Sequence, residues 1–231
     1  MLQSIKATRP AQTNLQLYMQ MLEEGYTEAE VSTINKAYLF SINKVHLMYR
    51  GSGKPFVCHL LGTASLMVNN KQSIEVVLAT LMHALYQNRV PFDGHTDITK
   101  RREIITTKFG SECDRLIYEY TEFEMTGIKD INPDHIVVDK HVLLMRIADE
   151  LEDLVDFSLC LHGLQGDTAE KGGSYLSRRA RKEKEGKILM QLCTHLNARE
   201  MHDSLAYWLD FKKYDAYPNS LKTGFYSSIT I

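Results

Sequence analysis

The chain has 231 residues, 44% of them hydrophobic and 24% charged, with 27 Lys+Arg against 29 Asp+Glu for a formal net charge of −2. Those proportions are ordinary for a globular protein and exclude a disordered chain, a coiled coil and a disulfide-rich secreted scaffold. The charge balance gives no general pull toward nucleic acid or an anionic membrane, and no apolar run reaches the roughly 18 residues of a spanning helix, so neither is an expected partner. Residues 1–26 read as an N-terminal segment, and MLQSIKATRPAQTNLQ lacks the apolar stretch of a secretory signal. Thr27-Glu28-Ala29-Glu30 is a capping box, and Val31, Ile34, Ala37, Tyr38, Leu39, Ile42 and Val45 follow at helical spacing to about Tyr49. Arg50 to Pro55 is a loop by its glycines, and Pro55 suits the first turn of a helix over about 56–69. The next helix starts after Ser73 and runs to about Asn88, apolar on nearly every face and therefore central.

Pro91 and Asp93-Gly94 mark 89–98 as a loop. A helix over about 99–109 ends at Gly110, and another covers about 111–123. After a loop over 124–132, Asn132-Pro133 caps a long helix to about 161. Gly163, Gly166, Gly172 and Gly173 mark a polar connection before helices over about 175–197 and 199–213. The pattern predicts one all-α domain over 27–213 with an irregular tail over 214–231. Arg178 to Glu185 is basic but interleaved with glutamates, which reads as a solvated helix face with at most a weak attraction for phosphate. Cys58, Cys113, Cys160 and Cys193 lie far apart and form no CxxC pair. They read as reduced thiols of a cytoplasmic protein.

Three polar residues fall where the helical pattern requires a core: His59 in FVCHLLGTA, His83 in ATLMHALY and Asp149 in LLMRIADELEDL. Singly, each imidazole also fits a hydrogen-bonded core histidine. A lone buried carboxylate needs partners, because an isolated charge in an apolar interior is costly. Two imidazoles and a carboxylate on neighbouring helices satisfy one another through a divalent ion such as zinc, manganese or iron.

The surroundings of the trio resemble the hydrolase domain of RelA/SpoT-type proteins, a branch of the HD phosphohydrolase superfamily. Arg50-Gly51-Ser52-Gly53-Lys54-Pro55-Phe56-Val57-Cys58-His59 resembles the opening R-x-S-G-E-P-Y-x-x-H of that domain. Ala79 to Tyr86 is similar to A-A-L-L-H-D-V-V, and Leu144 to Leu151 to L-I-K-L-A-D-R-L. Arg181 to Trp208 is similar to the helix pair that closes the domain, so the likeness spans about residues 30–212. His46 matches a common histidine and is given a structural role.

The resemblance implies a helical bundle that holds one divalent metal, manganese before zinc or iron, on two histidines and two aspartates. His59, His83 and Asp149 match three of these ligands, and Ala84 stands where the fourth, an aspartate, is expected. The Glu-Asp pair that serves the attacking water falls on Gln87 and Asn88. A later asparagine falls on Asp153 and an arginine on Val155. Arg50, Ser52, Lys54 and Tyr86 are the candidate contacts to a small phosphorylated or nucleotide ligand. Gln87 and Asn88 orient water without taking its proton, which leaves Asp153 as the candidate base; loss of a general base slows hydrolysis by about 10²–10⁴-fold. Efficient hydrolysis of guanosine tetraphosphate is therefore not expected. Three functions remain open at this point: a divergent metal-dependent phosphohydrolase on a small phosphate or nucleotide ester, a non-catalytic nucleotide- or phosphate-binding module, and a non-haem iron enzyme with a two-His-one-carboxylate site.

Overall fold

The computed structural model describes residues 10–50, 53–123, 138–159 and 175–210. Among these residues the elements are all helices: α1 (Asn14–Glu23), α2 (Glu28–Val45), α3 (Phe56–Asn69), α4 (Ile74–Leu81), α5 (Ile98–Phe109), α6 (Ser111–Glu122), α7 (Lys140–Leu159), α8 (Tyr175–His195) and α9 (Arg199–Asp210). The all-α reading of the sequence is correct. The Asn132-Pro133 cap, the loop over 124–132, the glycine-marked connection, Ser52, Cys160 and the tail lie outside the described residues.

Local chemistry sets the boundaries. Thr27 accepts from the Glu30 amide while Glu30 accepts from the Thr27 amide, so the predicted capping box starts α2. Gly110 ends α5 and begins α6 with φ +94°, a conformation that disfavours any Cβ. The helix predicted to run through Asn88 stops at Leu81. The chain tightens there into three-residue turns, with the His83 amide on Thr80 O at 3.4 Å and the Leu85 amide on Met82 O at 2.9 Å. Buried Arg101 of α5 holds these turns by donating to the carbonyls of Leu85, Gln87 and His95.

The core lies around α3, in which Leu60, Leu61, Ala64, Leu66, Met67 and Val68 are all buried. α3 packs on α1, α2, α4 and α7, and α9 closes against α7 and α8. Two expectations are corrected. The segment before Thr27 contains α1, whose Leu17 and Met21 are fully buried in the same core. A second capping box, Thr13 with Gln16, starts it. The basic run on α8 is not wholly a solvated face, because Lys182 turns inward to Glu150 and Asp153 of α7 while Arg181 and Lys184 stay exposed. Cys113 and Cys193 are buried free thiols, and Cys58 is a half-buried one.

Because Leu17 is fully enclosed, Leu17→Ala is expected to destabilise the whole domain by about 2–5 kcal/mol in urea unfolding. A loss below about 1 kcal/mol, the scale of a surface change, would separate α1 from the cooperative unit.

Candidate metal centre

α3, α4 with the turn that follows it, and α7 bring His59, His83 and Asp149 together. One ligand atom from each lies within 4.8 Å of the other two. His59 Nε2 is 3.0 Å and His83 Nε2 3.9 Å from Asp149 Oδ1. Both imidazoles are buried, and their rings meet edge to face at 5.3 Å.

Each ring has its other nitrogen committed. His83 Nδ1 donates to Thr80 O at 2.8 Å, a bond made available by the early end of α4. His59 Nδ1 donates to Glu152 Oε2. Both Nε2 atoms therefore face the Asp149 carboxylate, the orientation a metal ligand requires. Tetrahedral bonds of about 2.1 Å would set the donor atoms about 3.4 Å apart, close to the spacings seen. The donor set fits a divalent ion with His59, His83 and Asp149 as ligands.

The other Asp149 oxygen is also held. Tyr120 of α6 donates its hydroxyl to Oδ2 at 2.5 Å, and Arg146 lies 3.4 Å from the same atom. Arg146 covers the Tyr120 ring at 3.9 Å and donates to the carbonyls of Tyr120 and Phe123 at the end of α6. Burial would raise the Asp149 pKa, but the His59 hydrogen bond and the nearby imidazoles outweigh it and hold the carboxyl well below its usual range. Burial pushes His83 down to about 4, so this ring is neutral near pH 7 with its Nε2 lone pair free. His59 goes the other way: burial lowers it, but Asp149 and Glu152 together raise it.

A polar pocket of about 200 Å³ opens onto the trio, and Arg50, Arg89, Gln87, Phe56, Glu150 and Asp153 form the rest of its lining. Gln87 is half-buried there, its amide oxygen accepting from Arg89 Nε at 2.9 Å. Arg50 sits in a loop closed by its own amide on Lys54 O at 2.9 Å, and its guanidinium pairs with Asp153. Asp153 also pairs with Lys182. Burial raises the Asp153 pKa, but Lys182 and Arg50 hold it below the usual carboxylate value, which makes Asp153 a weak proton acceptor. Glu150 is raised, chiefly by burial, against the opposing charge of Lys182.

Other sequence expectations land elsewhere. Tyr86 turns into the core, where its hydroxyl donates to Asp114 at 2.5 Å and Arg102 clamps the same carboxylate. This correction follows from the tight turns after His83, which rotate Tyr86 away from the pocket. Asn88 is exposed and outside the pocket lining. Lys54 is outside it too, with its ammonium on Glu152 and 3.8 Å from Asp156. His46 is the exposed C-cap of α2. Sequence reasoning missed Arg89, Glu150, Glu152, Tyr120, Arg146 and Lys182. The one available signal was the helical spacing of Asp149, Glu152, Asp153 and Asp156 along one face of α7.

A family model described as a domain of unknown function (DUF6817) matches residues 46–124, which carry Arg50, His59 and His83 but not Asp149. The chain is 25% identical over 131 residues to the GTP pyrophosphokinase rsh of Brucella melitensis biotype 1 and, equally, to that of Brucella ovis. The match covers 52% of this chain and 16% of either relative, so the chain spans about a sixth of their length. A solved structure described as a metazoan ortholog of SpoT that hydrolyzes ppGpp superposes with a TM-score of 0.54 at 15% identity, over 81% of this chain and 99% of that one. The fold is thus the all-helical one of that SpoT ortholog. In sequence the chain is similar, at a distance, to the RelA/SpoT-type proteins. Among the described residues no helix is long and apolar enough to cross a membrane.

Ala84 is fully buried directly after His83. Ala84→Asp is expected to tighten manganese binding by at least about tenfold, about 1.4 kcal/mol, in calorimetry. A folded variant with unchanged affinity would speak against an ion between His59, His83 and Asp149.

Proposed function

We propose that the chain is a metal-dependent phosphohydrolase acting on a small phosphate or nucleotide ester, with manganese the expected ion and zinc or iron the other candidates. The observation that carries this reading is the convergence of two imidazole Nε2 atoms, each fixed through its Nδ1, on the Asp149 carboxylate. The ion would supply a Lewis acid and lower the pKa of a bound water. Arg50 and Arg89 would bind the anionic group, Arg50 with a planar fork suited to phosphate. Gln87 would orient water. Glu150 would accept a proton in preference to Asp153, because Asp153 already carries both Arg50 and Lys182. The pocket, at about 200 Å³, is smaller than the roughly 300–1,000 Å³ typical of ligand sites, which favours a small ester or the phosphate end of a larger one.

A second reading, a phosphate-binding module without turnover, draws on two specific features. Gln87 offers an amide where the resemblance expects a carboxylate, and Asp153 is tied up in two ion pairs.

Elemental analysis of protein purified without chelator, followed by a manganese-supplemented screen of phosphate esters that includes guanosine tetraphosphate, tests both. Bound manganese or zinc with turnover of a small ester supports the hydrolase. Metal and phosphate binding without turnover supports the module, and iron with oxygen uptake would replace both readings. In the hydrolase, Glu150→Gln should lower kcat more than Asp153→Asn. Arg50→Ala should lose phosphate affinity, by less than the about 1.5–3 kcal/mol of a full hydrogen bond to a charged group, because Arg50 already holds Asp153. Wild-type affinity in Arg50→Ala would remove that side chain from the site.

A further inference from the structure

His59 is gripped from behind by a set of residues that touches neither the pocket nor the face of the ring that meets Asp149. Glu152 of α7 accepts from His59 Nδ1 through Oε2, and its Oε1 meets the ammonium of Lys54. Glu152 is 1% exposed. A carboxylate this deeply enclosed is costly unless it is both paired and hydrogen-bonded. The two contacts use both of its oxygens. Asp156, one helical turn further along α7, lies 3.8 Å from the same ammonium.

The space for Glu152 is made by Gly62, which lies on α3 about one turn beyond His59. A Cβ at Gly62 would stand 2.7 Å from Glu152 Cγ and 3.0 Å from Oε1. A Cβ there would force the Glu152 side chain to shift from its contact with the imidazole or α3 to move away from α7. Gly62 thus has a packing reason for being glycine within an otherwise regular helix, where alanine would favour the helix itself.

We propose that Gly62, Glu152 and Lys54 form a positioning device for His59. Glu152 accepts the hydrogen bond from the Nδ1 proton, so the ring keeps its Nε2 toward Asp149. Its charge polarises the imidazole and makes Nε2 a stronger donor to a cation. Lys54 neutralises Glu152 on the side away from the ring, and Gly62 leaves room for the contact. Lys54 is thereby reassigned from substrate binding to support of a ligand. This inference rests on the metal-centre reading, and Glu152 and Lys54 act through His59 rather than on substrate.

The test combines NMR of ¹⁵N-histidine-labelled, metal-free protein with calorimetry of zinc binding. Wild type is expected to show a hydrogen-bonded Nδ1 proton for His59. Glu152→Ala should lose that resonance and bind zinc about 10–100-fold more weakly, the usual consequence of removing a partner behind a ligand. Glu152→Gln keeps an acceptor oxygen, so it should keep the resonance with a smaller loss of affinity, and it serves if the alanine variant does not fold. Lys54→Met should move the resonance without abolishing it. A folded Glu152→Ala with an unchanged Nδ1 resonance or wild-type zinc affinity would overturn the proposal. If wild type bound no zinc while the resonance still vanished in Glu152→Ala, the metal centre would fall and the positioning contact would stand.

Discussion

One face of α7 aims four carboxylates, Asp149, Glu152, Asp153 and Asp156, into the protein, and the rest of the site is arranged to meet them. A helix cannot bury such a row without counter-charges, since the desolvation cost of each ion exceeds what a single neutral hydrogen bond returns. The cations come from three directions. Lys54 and Arg50 enter from the loop before α3, Lys182 from α8 and Arg146 from α7 itself, while His59 supplies the contact that links Asp149 to Glu152. The position of α3 against α7 is therefore set by charge matching as much as by apolar packing. Each partner on its own would be left as an uncompensated buried charge.

This arrangement separates two kinds of polar residue within a few ångströms. Tyr120 and Arg146 fix Asp149 from the α6 side, and Glu152 fixes His59 from the α3–α7 seam. Neither group needs to move for the Nε2 atoms to converge, so the donor atoms are held before any ligand arrives. Preorganisation of this kind is what a metal centre demands and what loop-borne ligands do not supply.

Much of this was readable in advance, for identifiable reasons. Local signals such as the Thr27 capping box, Pro55 and Gly110 act within a few residues and give boundaries that the structure repeats for the start of α2 and for α3, α5 and α6; α2 itself ends at Val45, short of Tyr49. His59, His83 and Asp149 stood out because polar residues at core positions are conspicuous against an apolar period. What stayed hidden depends on contacts between distant segments. The end of α4 at Leu81 is enforced by Arg101, some 20 residues away, reaching back to three carbonyls. That tertiary contact overrides an apolar pattern which continues without a breaker. The same early end of α4 sets Tyr86, whose hydroxyl reaches Asp114 in the core. α1 is obscured in the sequence because its exposed Leu15 and Met19 blur the apolar stripe, although Thr13 and Gln16 supply a capping box. Lys182 looked solvated because a run of charges says nothing about which member meets an acidic neighbour.

The pairing of Arg50 with Asp153, and of Asp153 with Lys182, has a consequence for recognition. The guanidinium does not wait in water for an anion; it already holds one. Any phosphate that reaches Arg50 must exchange with a carboxylate, so what it gains is the difference between two ion pairs rather than the full strength of one. Raw negative charge is then a poor ticket of entry, and shape decides. Sulfate, chloride and other bystander ions offer Arg50 little that Asp153 does not. A ligand prevails only by also engaging the other groups that line the pocket.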